Sequence, residues 1–192
     1  MHVIVGISGA SGVEMGLSLL RAFKAHENMK VHLVVTEGAK TTWQHESRIP
    51  LETLTSCADY CHDDNDLAAV ISSGSFQTAG MAILPCSMKT LSAVAHGYAD
   101  NLLIRAADVC LKEGRKVVLC PREMPLGKAH LKNMLEAADL GCVILPPMLT
   151  FYNALNGVQD QVEHVVGKIL MQFGLSHKAF KRWQGPQGGQ HA

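Results

Sequence analysis

The chain has 192 residues, 47% of them apolar and 18% charged, which fits one domain with a sizeable core and does not fit a disordered chain. Lys and Arg number 17 against 17 Asp and Glu, so the formal net charge is zero, which argues against a nucleic-acid binder held by broad phosphate attraction. No stretch is long and apolar enough to span a bilayer, so no membrane partner is expected.

Met1 to Ile7 has neither a basic leader nor a long apolar run. It reads as a first strand over Val3 to Ile7, with a cytoplasmic location as the default. The strand opens into Gly6-Ile7-Ser8-Gly9-Ala10-Ser11-Gly12, whose glycines permit close backbone approach and whose Ser8 and Ser11 add hydroxyl donors. That favours contact with a phosphate or flavin over an ordinary strand–helix turn. It is neither a Walker loop nor a dinucleotide fingerprint in its usual spacing. A helix follows over Val13 to Ala25, then a strand over Val31 to Val35 ending at Thr36-Glu37. Glu37 reads better as the acidic opening of a helix than as a ribose ligand. Trp43 and Glu46, three apart on that helix, taken alone read as structural. Cys57, Cys61 and His62 resemble half of a metal site, but no second ligand pair follows, so no metal is expected.

After Ser72-Ser73-Gly74-Ser75-Phe76, a strand over Met81 to Pro85 runs into Pro85-Cys86-Ser87-Met88-Lys89-Thr90, a hydroxyl-rich start for a helix over Ser87 to Gly97. The helix over Leu103 to Glu113 carries Arg105, Asp108 and Lys112 on one face, the pattern of a solvated ion-pair stripe. Arg122 and Glu123 follow the strand Lys116 to Cys120 and are bracketed by prolines. A guanidinium and a carboxylate fixed at a strand's carboxyl end belong to a cleft, where Arg grips phosphate and Glu moves a proton. A helix over Leu126 to Ala138, a strand over Cys142 to Pro146, the Pro146 to Asn153 pocket wall with Tyr152, and a helix over Val158 to Phe173 complete the order. Lys181-Arg182-Trp183 divides evenly between structural and functional readings, and residues 184–192 form a Gly- and Gln-rich tail. Strand and helix alternate. The expected fold is a single three-layer α/β/α Rossmann-like (flavodoxin-like) domain over residues 1–183 with a parallel sheet, its ligand beyond the carboxyl ends of the strands.

Taken together, Gly6 to Gly12, Ser72 to Phe76, Pro85 to Ser87, Arg105 to Glu113, Pro121-Arg122-Glu123-Met124-Pro125 and Phe151-Tyr152 resemble the flavin prenyltransferase family of the UbiX type, in order along nearly the whole chain. The Arg122 to Leu126 run and the Arg182 to Gly185 ending are similar to the small B subunit of phenolic acid decarboxylase systems. The resemblance implies joining a dimethylallyl group from dimethylallyl phosphate to N5 and C6 of reduced FMN without a metal. The product would serve a UbiD-type decarboxylase, and the assembly would be a homo-oligomer, a dodecamer. It implies flavin contacts at Gly9, Ala10, Ser11, Thr36, Ser87, Met88, Thr90, Arg105 and Arg122, and prenyl-phosphate contacts at Arg105, Lys112, Arg122, Glu123, Tyr152, Lys168 and Trp183. Catalytic roles fall on Glu123, Glu46, Lys112, Arg122 and Ser11, with Trp183, alongside Trp43, as an aromatic wall for the allyl group. The family pattern has an aromatic residue in some members where this chain has Met15, and an arginine where it has Lys168, which loses two-pronged geometry. Three alternatives stand beside this reading: an FMN-dependent cysteine decarboxylase, a non-catalytic FMN-binding accessory subunit, and a nicotinamide dehydrogenase.

Overall fold

The computed structural model describes residues 1–152 and 157–180. Among them, short apolar runs form β1 (His2–Ile7), β2 (Lys30–Val35), β4 (Gly80–Cys86) and β5 (Lys116–Pro121), with β3 (Tyr60–His62) and β6 (Val143–Ile144) at the edges. All pairings are parallel, in the order β3-β2-β1-β4-β5-β6. Strands buried on both faces need no polar alternation, which is why they read as continuous apolar runs.

The helices are α1 (Glu14–Lys24), α2 (Glu37–Glu46), α3 (Leu51–Ser56), α4 (Met88–Ala95), α5 (Leu102–Lys112), α6 (Lys128–Asp139) and α7 (Val158–Gln172). They cover both faces. One core gathers Phe23, Leu20, Trp43 and Ile169 with Val3, Val5 and Leu33; the other gathers Leu91, Leu103 and Ala106 with Ile4, Met81 and Ile83. The chain is therefore a three-layer α/β/α Rossmann-like sheet in one domain.

Two expected boundaries differ. Tyr60–His62 was not expected as a strand, being three residues of mixed polarity; it adds an edge beside β2. The last strand is two residues long where Cys142 to Pro146 was expected, because Pro146 and Pro147 have no N–H for a ladder. Pro85, inside a central strand, sits where the β4–β5 register shifts between Ile83 and Cys86, so its missing donor falls at an irregularity.

β1 lies between β2 and β4, and the chain winds outward from it in both directions. At such a reversal the loops after neighbouring strands diverge and leave a crevice at their carboxyl ends.

Candidate functional site

A cleft of about 670 Å³ opens at that crevice, within the range of small-molecule and cofactor sites. Five strands feed it: Gly9, Ala10 and Ser11 after β1, Thr36 to Gly38 after β2, Asp64 and Asn65 after β3, Ser87 to Thr90 after β4, and Arg122 and Glu123 after β5.

Local chemistry fixes each segment. Thr36 caps α2, its hydroxyl accepting from the Ala39 N–H at 3.2 Å. Ser87 caps α4 in the same way, accepting from the Thr90 N–H at 3.2 Å and donating to the Thr90 hydroxyl at 3.1 Å. Asn101 caps α5 through the Ile104 N–H at 2.9 Å. Three helices thus point their N-termini at one cleft. At α2 and α4 first-turn N–H groups have no carbonyl within the helix to meet and the dipoles favour an anion, whereas at α5 the Leu102 and Leu103 N–H groups are already met by the Asp64 carbonyl and carboxylate. Gly9 passes so close to α2 that a Cβ there would lie 2.9 Å from the Gly38 carbonyl carbon. Arg122 is anchored by its N–H to the Cys86 carbonyl at 3.1 Å, and both Arg122 and Glu123 are exposed.

Ser8 is not a cleft donor. It is 1% exposed; its hydroxyl donates to the Pro85 carbonyl at 3.2 Å and accepts from the Ser87 N–H at 2.8 Å. It ties the end of β1 to the end of β4. The start of α1 is likewise occupied, since the Glu46 carboxylate accepts from the Gly12 N–H at 2.8 Å. Burial works against ionisation of Glu46, but the Ser11 hydroxyl, the Gly12 and Val13 N–H groups and the Arg122 guanidinium outweigh it and hold its pKa low. Glu46 is therefore an anion beside Ser11, at the cleft's edge.

Gly9, Ala10, Ser11, Thr36, Ser87, Met88, Thr90, Arg122 and Glu123 all line the one cleft. Other residues singled out from the sequence lie elsewhere in the chain. Arg105, one residue beyond the lining Ile104, donates to the Ser72 carbonyl at 3.2 Å and pairs with Asp108 at 2.8 Å. Lys112 stands at the far end of α5, paired with Glu113 at 3.1 Å. Tyr152 packs its ring edge-on against His164 at 5.9 Å, and Lys168 is close enough to that imidazole to help burial lower its pKa. Ser72 to Phe76 was expected among the strand-end segments that share the cleft; it lies at the opposite, amino end, where Arg115 grips the Phe76 and Gly74 carbonyls at 2.7 and 2.6 Å. Trp43 is 3% exposed in the core and bonded to the Ile49 carbonyl at 2.7 Å, so it is no wall of the cleft. Trp183 lies outside the described residues.

The sequence reading missed Asp64, Asn65, Asp100 and Asn101, which close the cleft's far side. Asp64 is 6% exposed and accepts from the Leu103 N–H at 3.0 Å and the Asn101 amide at 2.8 Å. Burial raises its pKa against those hydrogen bonds. The available signal was Asp100-Asn101 directly before an apolar helix, a cap pattern. Among the described residues, no group of three His, Cys, Asp or Glu side chains is arranged to hold a metal, and no helix is long and apolar enough to cross a membrane.

The cleft's hydroxyls, helix N-termini and guanidinium suit an anionic, hydroxyl-rich ligand such as FMN. Comparison with known proteins agrees. The Flavoprotein family model matches residues 1–174. A probable UbiX-like flavin prenyltransferase of Sedimentibacter hydroxybenzoicus is 57% identical over 185 residues, 96% of this chain and 98% of that one. A structure of a dodecameric FMN-dependent UbiX-like decarboxylase from Escherichia coli O157:H7 superposes with a TM-score of 0.94 at 51% identity, covering 96% of this chain and all of that one. AnUbiX, solved with FMN and dimethylallyl pyrophosphate, superposes with a TM-score of 0.94 at 41% identity, covering 97% and 98%. The chain belongs to the Flavoprotein family, among its UbiX-like flavin prenyltransferases.

Proposed function

We propose that this chain binds FMN in the β1–β4 cleft and transfers a dimethylallyl group to it from a prenyl phosphate. The observation that carries the reading is the convergence of Gly9 to Ser11, Thr36, Ser87 to Thr90, Arg122 and Glu123 on one cleft. Reduced FMN supplies the nucleophilic N5 and C6 atoms. The chain's own groups do the rest: the α2 and α4 N-termini with Ser87 and Thr36 hold an anion, and Arg122 stabilises charge that gathers on the departing phosphate. Glu123 donates a proton to the phosphate oxygen as its bond to carbon breaks, and ionised Glu46 is the base at the cleft's edge.

Arg105 with Lys112, and Tyr152 with Lys168, are the remaining prenyl-phosphate candidates among the described residues, and they stand apart from the cleft in one chain. A homo-oligomer in which neighbouring copies bring these groups to each other's clefts reconciles them with one site. Exposed Met124, Leu131, Leu135, Met148, Leu149 and Phe151 support such contacts. A dodecamer and delivery of the product to a UbiD-type aromatic acid decarboxylase are part of this reading.

The test is anaerobic incubation of the protein with reduced FMN and dimethylallyl phosphate, followed by mass spectrometry of the released flavin. A flavin heavier by one dimethylallyl unit is expected. Unmodified FMN from a folded, flavin-loaded protein refutes transfer and turns the assignment to a cysteine decarboxylase or an accessory subunit.

A further inference from the structure

Three histidines form a continuous oblique row across the sheet, from the first residue of β1 through the third of β2 to the last of β3. His2 Nδ1 lies 2.9 Å from His32 Nε2, and His32 Nδ1 lies 2.9 Å from His62 Nε2. His32, in the middle, is 2% exposed; the Tyr60 ring stacks on it at 4.6 Å, and Phe76 meets both His2 and His32 edge-on at 5.1 and 5.2 Å. Phe76 ends the Ser72 to Ser75 loop. Arg115 and Arg105 hold that loop by its carbonyls, and Gly74 lies against Lys112 and Glu113.

Proton counting limits what this row can do. Each N···N link needs one hydrogen, and the three rings offer one outer nitrogen at each end. A neutral row fills both links and one outer nitrogen. One excess proton fills the other outer nitrogen and leaves both links whole, and its charge can move to any ring by shifting the link hydrogens. A second excess proton has no vacant outer nitrogen and must set N–H against N–H, breaking a link. The surroundings do not relieve it. Asp59, the carboxylate acting on His32, is engaged by Lys24, Lys30 and the Val31 N–H, and Asp66 acts on His62 alone. Arg115, Lys112 and Glu113 flank the loop, and the Met1 ammonium is bound to the Asn28 carbonyl. Burial also holds His32 neutral, with its pKa lowered to about 4.

We propose that His2–His32–His62 is a proton-limited strap, whole with one excess proton and parted by a second, which seats the Ser72–Phe76 loop beside Lys112. If Lys112 serves the prenyl phosphate, as the proposed function has it, acid then weakens prenyl-phosphate binding without touching the flavin cleft.

The strap is tested by counting protons bound per chain between pH 7.5 and pH 4.5 in the whole protein and in His32→Phe, which removes both links. The variant has one histidine fewer, yet is expected to bind about one proton more, because nothing then limits His2 and His62 to one excess proton between them. Equal or smaller uptake overturns the strap. His62→Gln, at the sheet edge, is the second variant: it should bind as many protons as the wild type, and a loss of one contradicts the shared-proton count. The link to the loop is read from KM for dimethylallyl phosphate against kcat at pH 7.5, where the wild-type strap is whole and His32→Phe has none. The variant's KM is expected to exceed that of the wild type more than fivefold, with kcat and FMN affinity within twofold, and the gap to close below pH 4.5 as the second proton parts the strap. Matching KM profiles sever the strap from the loop. Absence of prenylated flavin at any pH removes the transferase reading and leaves the proton count to decide the strap.

Discussion

Replacing Ser8 with alanine removes a side chain whose hydrogen bonds join the ends of β1 and β4 at the mouth of the cleft. The hydroxyl is buried, donates to the Pro85 carbonyl at 3.2 Å and accepts from the Ser87 N–H at 2.8 Å. Pro85 keeps a second donor, the Ser8 backbone N–H at 3.2 Å, so the carbonyl side of the loss is small. The Ser87 N–H loses its acceptor. A net hydrogen bond contributes about 0.5–1.5 kcal/mol and a stranded buried donor costs about 1–3 kcal/mol, so Ser8→Ala should destabilise by roughly 2–3 kcal/mol. In a chain of this length that is a fall in Tm of roughly 5–10 °C. Because Ser87 caps α4 at the anion-binding end, FMN affinity should fall together with stability. Thermal unfolding followed by circular dichroism, with and without FMN, reads both. A Tm within about 1 °C of the wild type and an unchanged FMN dissociation constant would refute the argument that this tie sets the cleft.

Gly9→Ala forces a methyl against the Gly38 backbone, at a cost of about 1–3 kcal/mol, and should weaken FMN binding at least tenfold in a flavin-fluorescence titration; wild-type affinity would show that the β1 loop and α2 need not touch. Glu123→Gln should keep FMN affinity and slow prenyl transfer by about 100-fold or more, read in single turnover; full activity removes Glu123 from the mechanism. His32 has its pKa lowered from 6.5 to about 4 by burial first and by His62 and His2 after it. The unfolded chain therefore takes up this proton before the native one does, so the stability is present above pH 6.5 and is lost as pH falls towards 4. The loss should reach about 2 kcal/mol by pH 5, read from denaturant midpoints at pH 7 and pH 5, and a flat response would contradict it. Asp59, held at about 2 by Lys24, the Val31 N–H and Lys30 against its burial, extends the same acid loss below pH 3.8.

Much of the fold was legible because each central strand is a short apolar run and three helices begin at a readable cap: Thr36, Ser87 and Asn101 all accept from their own first turns. Tyr60–His62 was not, because a three-residue edge strand is defined by its partner and not by any period of its own. The cleft residues at strand ends followed from topology alone, whereas Glu46 was read from spacing as structural and acquires its place only through the Gly12 contact. Lys112 and Ser72 to Phe76 mark where sequence reasoning ran short in one chain. Polar motifs flank both ends of every α/β unit, and nothing in local composition distinguishes the carboxyl end of the sheet from the amino end.

The carboxylate of Glu46 at the start of α1 has a consequence for ligand orientation. Four helices begin near the crevice, and two of them have first-turn N–H groups taken by a carboxylate of the chain itself, Glu46 at α1 and Asp64 at α5. A ligand with one charged end and one flat, neutral end consequently meets a polarised slot, repelled at the α1 side and drawn in at α4. The chain thus carries its own compass: a fixed negative charge that sets which end of the incoming molecule goes in first.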